Sequence, residues 1–548
     1  MLGDKWITDR TPTEKFPHYT RANGADVLAD PVTPLGWTWS WESGVVLGCR
    51  DGFVSYGVFD ADEYGDPPES FGLFGGYFYN CLTQARMMGV RQPGATPEMV
   101  DDAYFDAHPD VPPYVPEDWH ESEVHSQRLE KNAEYLLGTD SHPPIEELKI
   151  LAQDLRDSRP DLTALTLSEL VERAREMQYP TRQIFDQHVM ASLAASNGPA
   201  ILTGILTEVG READVVKLVT GIGNVDSAEI GRELWTLSRM IRNSETMSAH
   251  FDESSPNIDS DLLSDEFKES LEGFLHRHGS RGPNEWDPGS DTYESNLSLT
   301  FSQLDLIRKQ DDSADPLLAF ERNASERERL RAEFEEMFAE NEEALGMFSV
   351  GMKAGELWMA LRERNKCSAV KPIHEVRMCF NEIADRMVVE GHLDSRKQIY
   401  MLLEEEVDGF ISDPSSYTDL LREREVDYKL LFDLDPPFIV NTVCPPLSEW
   451  PKKSDLSYSP VAVGEIMQGN ACSPGTYTGK ARVILDASDP SALEPGEILV
   501  TFNTDPAWTP LFLAAGAVVV DLGAVASHAS IVSRELGIPC VASATDAS

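Results

Sequence analysis

The stretch Val518 to Cys540, VVVDLGAVASHASIVSRELGIPC, holds one histidine, His528, among small residues. Upstream, Ala514 to Val520 is small and β-branched and reads as a short buried strand, with Gly523 supplying the turn out of it. Downstream, Ile531, Val532, Leu536 and Ile538 give a helix one apolar side, and Gly537-Ile538-Pro539 stops it. His528 therefore stands at a helix opening. The first backbone N–H groups of a helix lack internal partners and carry the positive end of its dipole. That field disfavours a protonated imidazole and keeps the neutral, nucleophilic ring near pH 7. It also welcomes an anion, so a phosphoryl group on a ring nitrogen would meet free N–H groups and the hydroxyls of Ser527 and Ser530. The position suits a phosphohistidine. A histidine that merely caps the helix is the plain alternative.

Composition narrows the remaining choices. A chain of 548 residues exceeds one ordinary core, and roughly two to four domains are expected. The net charge of -48, from 46 basic and 94 acidic residues, argues against nucleic acid and anionic membrane surfaces as partners. The opening MLGDKWITDRTP has no apolar core for a signal peptide, and the longest apolar run, Leu511 to Val520, is too short to span a bilayer, so a cytoplasmic protein is expected. The seven cysteines show no C-x-x-C spacing, so no zinc site or disulfide framework is indicated and no metal site is expected.

Texture divides the chain. Met1 to about Pro116 is rich in aromatics, Gly and Pro and predicts loops, short helices and a few strands. From Glu121 to Leu434 helical signals dominate: Thr166-Leu-Ser-Glu169 is a capping box, Ile230, Leu234, Leu237 and Ile241 recur at helical spacing after Asp226, and Val376, Phe380, Ile383 and Met387 form another stripe. Ser395 with Gln398 is expected to cap a helix carrying Ile399, Leu402 and Leu403. The run Asn441 to Pro460 is rich in Pro and Ser, lacks periodicity, and reads as an exposed linker. Beyond it come short β-like pieces, Ala481 to Leu485 and Glu497 to Phe502, separated by Pro-Gly turns. The expected architecture is a large, mostly α-helical substrate-binding domain over 1–440, a linker over 441–460, and a small α/β (β/β/α) domain over 461–548.

A tethered small domain bearing one nucleophile suits a carrier that moves between two sites. The seventy or so residues from Gly469 to Cys540, with the string G-x-x-x-S-H-A-x-I-V-x-R-E-L-G-I-P, resemble the swivelling phosphohistidine domain of phosphoenolpyruvate-utilising enzymes. The resemblance implies that His528 carries the phosphoryl group, with Ser527 and Ser530 as neighbours of the phosphate and, less firmly, Thr504 and Thr509, for which turn and strand capping is the alternative role. Three upstream segments, ANGADVLADPVTPLGWTWS, HRHGSRGPNEWD and VRMCFNEIADRMVVEGHLDSRKQIYMLLEEEV, are similar to the substrate-binding domain of rifampin phosphotransferase and its relatives. Such proteins usually read G-H-R-G-x-x-E-x-D where this chain has Gly279-Ser280-Arg281-Gly282-Pro283-Asn284-Glu285-Trp286-Asp287, so a histidine is missing. Arg281 offers paired donors to a phosphate, and Glu285 or Asp287 is a candidate to accept a hydroxyl proton. A structural ion-pair network is the competing reading of the same three residues.

The aromatic N-terminal part is a candidate acceptor pocket. Trp37, Trp39, Trp41, Phe71, Phe74, Tyr77, Phe78 and Tyr79 would wall a cavity for a small hydroxylated, phenolic or alcoholic substrate, with Arg86 meeting substrate or phosphate; each ring taken singly also suits a core, and Arg86 a surface salt bridge. No G-x-x-x-x-G-K-[ST] loop is present, and the ATP-binding domain usual in the family has no counterpart. A separate ATP-grasp-like subunit holding ATP and Mg2+ is therefore expected, as in the split systems resembling phenylphosphate synthase, with the mobile domain short at Ser548. The alternatives are a phosphohistidine carrier or regulatory scaffold with no substrate of its own, and a phosphoenolpyruvate-linked phosphotransferase.

Overall fold

The computed structural model describes residues 3–105, 110–223, 226–253, 258, 260–455, 464–485, 493–502, 504, 508–521, 527–544 and 547. Its spine is one 48-residue helix, Glu342–Val389, opened by Asn341, whose side chain accepts from the Ala344 N–H. At 1.5 Å per residue it is about 70 Å long. Successive stretches of this helix enter different apolar clusters. Phe348 and Met352 pack with Leu202, Leu206 and Phe334, while Ala354, Trp358 and Leu361 pack with Tyr19, Tyr77 and Tyr79. Ala369, Val370 and Ile373 join Trp37, Trp41 and Trp286. The stripe of Val376, Phe380, Ile383 and Met387 packs on Leu170, Ala174 and Tyr400.

The helix Asn197–Glu208 crosses this spine backbone to backbone. A Cβ on Gly198 would sit 2.3 Å from the Gly355 nitrogen and 2.7 Å from the Gly351 carbonyl oxygen, whereas a Cβ on Gly355 meets nothing nearer than 3.9 Å. The capping box at Thr166 and Glu169 opens Leu167–Glu176 as the sequence predicts, and Asp226–Arg242 is one helix. Ser395 caps no helix. Arg396–Met401 is a 3-10 turn, because Ile399, Tyr400, Met401 and Leu402 are all buried and four consecutive residues cannot share one α-helical face. Leu167–Glu208 is one helical stretch among the described residues that is long and apolar enough to cross a membrane, longer than the sequence reading allowed, and half of its apolar window is buried inside the protein.

Four short strands, β1 (His18–Thr20), β2 (Phe71–Phe74), β3 (Tyr77–Cys81) and β4 (Ile439–Asn441), form an antiparallel sheet in the order β2-β3-β1-β4. Gly75 and Gly76, both at positive φ, make the β2–β3 hairpin turn. Because β4 pairs with β1, the two ends of the helical body are joined. The expected linker is therefore a packed segment as far as Asp455. The Thr442 N–H donates to Pro17 O (2.7 Å), Leu447 and Trp450 are buried, and Trp450 occupies the space a side chain on Gly75 would need. Two apolar anchors suffice to hold a segment with no periodicity; residues 456–460 lie outside the described residues.

The small α/β domain holds β5 (Asn470–Ser473), β6 (Ala481–Val483), β7 (Ile498–Thr501), β8 (Ala517–Val520) and β9 (Cys540–Ala542) in the order β5-β9-β8-β7-β6. β6 to β9 are parallel and β5 is an antiparallel edge. The run expected as one strand from Ala514 is shorter, since Thr509–Ala514 is a helix with proline in its first turn and the strand begins at Ala517. Gly523 lies outside the described residues. Leu513 enters a cluster of the helical body with Trp235, Phe251 and Leu304, and Asn323 Nδ2 on the helix Pro316–Met337 donates to Arg534 O at 2.7 Å. Thus the small domain is tied to the helical one at the Arg534 carbonyl, which also accepts the Gly537 N–H at 3.1 Å.

The asymmetry at the glycine crossing gives a stability test. Gly198→Ala should lose about 2 kcal/mol by overpacking, measured by urea unfolding, whereas Gly355→Ala should be neutral or gain up to about 1 kcal/mol from reduced backbone freedom.

Candidate functional site

His528 is the first residue of the helix His528–Leu536, with Ser527 at the N-cap in an extended conformation and no acidic residue in the first turn. The helix ends at Gly537 in the left-handed region (φ 65), as the sequence predicts. Ser527 makes no cap hydrogen bond to the backbone; its hydroxyl lies 3.1 Å from that of Ser530, and both residues are buried, as is Thr504. Arg534 Nε donates to Ser530 O at 2.9 Å. The opening thus presents helix N–H groups and two adjoining hydroxyls with no carboxylate in the first turn, an arrangement that favours an anion. The imidazole of His528 and the side chain of Thr509 lie outside the described residues.

The three acceptor-side residues divide. Arg281 Nε donates to Glu285 Oε2 (2.7 Å), which also accepts the Gly282 N–H (3.2 Å), and an Arg281 guanidinium nitrogen lies 2.9 Å from Cys367 Sγ on the spine. Burial opposes the Arg281 charge, but Glu285 and Cys367 outweigh it and hold its pKa above the ordinary value. Glu285 is wholly buried and its Oε1 has no hydrogen-bond partner. Asp287, by contrast, is committed. It accepts from the Thr33 N–H (2.7 Å), the Thr33 hydroxyl (2.6 Å) and the Gly289 N–H (2.8 Å), while burial pushes its pKa up. Its work is to fasten the N-terminal segment to the 281–289 loop, which corrects its expected place as a proton acceptor. Glu285 retains the one carboxylate oxygen of the pair that has no hydrogen-bond partner.

Most of the aromatic residues expected around substrate belong to the core. Trp39 Nε1 donates to Ala174 O (3.2 Å), the Tyr77 hydroxyl to Leu431 O (2.8 Å) and the Tyr79 hydroxyl to Pro437 O (2.6 Å), and all three rings are fully buried. Their polar tips are consumed in tying distant segments together. Arg86 is held in a two-bond fork by Asp101 at 2.8 and 2.7 Å and is closed to solvent. Trp37 lines a groove of about 810 Å³ together with Arg10, Glu42, Ser43, Glu69, Glu404 and Glu405. Arg10, its cation, is paired with Glu42 at 3.1 Å and lies over the Trp37 ring. The remaining carboxylates make the groove a poor place for phosphate.

Sequence reasoning passed over two histidines. His374 on the spine binds Glu294 through Nε2 (2.6 Å) and receives an Arg377 N–H at Nδ1 (2.9 Å), while Arg159 and Arg156 also hold Glu294. Arg377 donates further to the carbonyls of Glu285, Asp287 and Ser290 and so fixes the loop bearing the motif. Burial lowers the His374 pKa to about 4. His188, on the helix Gln178–Ala194, lies with Phe185 against Trp286, and burial lowers it to about 3. A usable sequence signal was Arg362 and Lys366, two cations one helical turn apart in an acidic chain.

Residues 187–363 match the family described as the rifampicin phosphotransferase fourth domain, and residues 493–548 match the mobile domain of PEP-utilising enzymes. An uncharacterized protein of Mycobacterium tuberculosis is 31% identical over 186 residues, 34% of this chain and 20% of that protein. Rifampicin phosphotransferase of Bacillus subtilis is 30% identical over 180 residues, 33% of this chain and 20% of its own length. Rifampicin phosphotransferase of Bacillus cereus is 32% identical over 158 residues, 29% and 17% of the two chains. The match therefore spans about a fifth of the length of these curated relatives. Two separate segments of the chain are thus similar to phosphoenolpyruvate-utilising enzymes, and the His528 helix opening lies in the one that matches the mobile domain.

Acid should loosen the motif loop's support. An unfolded histidine takes its proton near pH 6.5 and His374 only near 4, so between those values the unfolded chain binds the extra proton and is favoured as pH falls. Between pH 7 and 5 this group should cost about 2 kcal/mol of unfolding free energy, and His374→Gln should shrink the pH dependence by that amount in urea titrations.

Proposed function

We propose that this chain is the phosphocarrier and acceptor-binding component of a phosphotransferase, which moves a phosphoryl group on His528 from ATP to the hydroxyl of a small phenolic or alcoholic molecule. The observation that carries the reading is the opening of His528–Leu536, with Ser527 and Ser530 hydroxyls 3.1 Å apart and no acid in its first turn, within a segment similar to the mobile domain. Similarity to rifampicin phosphotransferases supports the reaction class.

In the first half-reaction a separate cytoplasmic nucleotide-binding subunit holds ATP and Mg2+. ATP and one water give AMP, inorganic phosphate and the β-phosphoryl group on a His528 ring nitrogen. In the second, the acceptor oxygen forms a P–O bond as the P–N bond breaks. The bonding pair returns to the imidazole, and the hydroxyl proton passes through Glu285 Oε1 to the ring. Arg281 steadies the phosphoryl oxygens as charge builds on them. Positioning does most of the work, because phosphoryl transfer needs little covalent help beyond an aligned nucleophile.

Incubation with the nucleotide-binding subunit and ATP labelled at the β-phosphorus should place an acid-labile, base-stable label on the chain. His528→Ala should remove it entirely while leaving the far-ultraviolet circular dichroism unchanged. Label persisting in that variant refutes the reading.

A further inference from the structure

A second set of groups stands beside Arg281 and Glu285. The spine carries Arg362, Lys366 and Cys367, each partly open at the surface, opposite His188, which is also partly open. Beneath them Glu285 and Trp286 are buried. The rings of Phe185 and His188 are 5.3 Å apart, His188 and Trp286 6.1 Å, and Phe185 and Trp286 5.8 Å, so the three form a continuous aromatic floor.

Three enclosed polar atoms of this floor have no hydrogen-bond partner: His188 Nδ1, Glu285 Oε1 and Trp286 Nε1. Leaving such an atom unpaired costs about 1–3 kcal/mol, so three in neighbouring side chains need an explanation, and a ligand that brings donors and an acceptor supplies one. The charges point the same way. Arg362 and Lys366 both act on His188, which burial keeps neutral. Arg362 is tied to Glu363 at 3.2 Å, whereas Lys366 makes no hydrogen bond or ion pair among the described residues. In a chain with 94 acidic residues, an uncommitted lysine near enough to act on His188 is a distinctive feature.

We propose that Lys366 docks the phosphoryl group on the acceptor side and that His188 positions the acceptor hydroxyl over Trp286 and Phe185, making this a site for an aryl phosphate, the product of phosphorylating a phenol. The inference rests on the reading of His528 as phosphocarrier, and its ligand is the product of the transfer already written. Lys366 touches the phosphoryl oxygens; His188 stays neutral and acts as a positioning residue through Nδ1.

Calorimetric titration of the full chain with phenyl phosphate tests it without any turnover. Phenyl phosphate should bind, and should bind the His528→Ala variant equally. Lys366→Gln should weaken it about tenfold or more, with Lys366→Arg recovering most of the affinity. His188→Leu should weaken binding and His188→Gln should restore it, a rescue that a purely structural imidazole would not give. Circular dichroism and the urea midpoint identify any variant that fails to fold, and the conservative pair keeps the comparison decisive. Absence of binding to the parent chain, or unchanged affinity in Lys366→Gln, overturns the proposal even if His528 takes the label. Binding that depends on Lys366 upholds the site even if His528 does not.

Discussion

The structure depends on burying one helix from several sides. Glu342–Val389 is not amphipathic in the usual sense: its buried residues include Glu363, Arg364, Asn365, His374, Glu375 and Arg377 as well as its apolar stripes. A spine that passes through successive clusters has no face left for solvent along much of its length, so its charged residues must find partners inside. Glu375 accepts from Arg159 and Arg173, and Arg377 gives its donors to three carbonyls of the 285–290 segment. Buried pairs of this kind add little net stability, yet losing one member costs about 3–5 kcal/mol, because the other charge is stranded. The same bonds therefore hold the motif loop at a fixed height on the spine, and Asp287 extends the clamp to Thr33 of the N-terminal part.

The contact with the helical body and the anion-favouring opening lie at opposite ends of the His528 helix. The small domain meets the helical body through Arg534 and Gly537, while the anion-favouring N–H groups belong to residues nearest Ser527. Nine residues separate these roles by about 13 Å. Among the described residues the contact includes one side-chain hydrogen bond, to the Arg534 carbonyl, and apolar neighbours such as Leu513 and Leu306.

Local rules explain which features were legible in the sequence. The capping box at Thr166, the glycine stop at Gly537 and the stripe from Val376 to Met387 each depend on residues within a few positions of one another. The outer sheet could not be read, because β1 pairs with β4 more than four hundred residues away and each strand is three to five residues long. Burial of Tyr77 and Tyr79 followed from that closure and burial of Trp39 from packing on Ala174 and Phe380, since aromatic rings with polar tips suit a pocket wall or a core equally until their hydrogen-bond acceptors are known. Trp450 made the same point for the segment read as a linker. Composition alone described its mean character and missed the one ring that anchors it.

Strong overall acidity and phosphate chemistry are compatible because charge acts locally. At physiological ionic strength exposed charges are screened over about 8 Å, so most of the -48 is invisible from within a buried site. What matters there is the handful of groups shielded from solvent, where the dielectric is low and each charge acts more strongly. On the motif loop and the adjoining spine those are Arg281 and Arg377, both buried, with Lys366 and Arg362 at the open edge; the carboxylates close by are engaged by Arg281, Arg362 or backbone N–H groups, Glu285 through Oε2 alone. At the His528 helix the absence of an acid in the first turn has the same effect. The local charges at these two places therefore cannot be read from the composition of the whole chain.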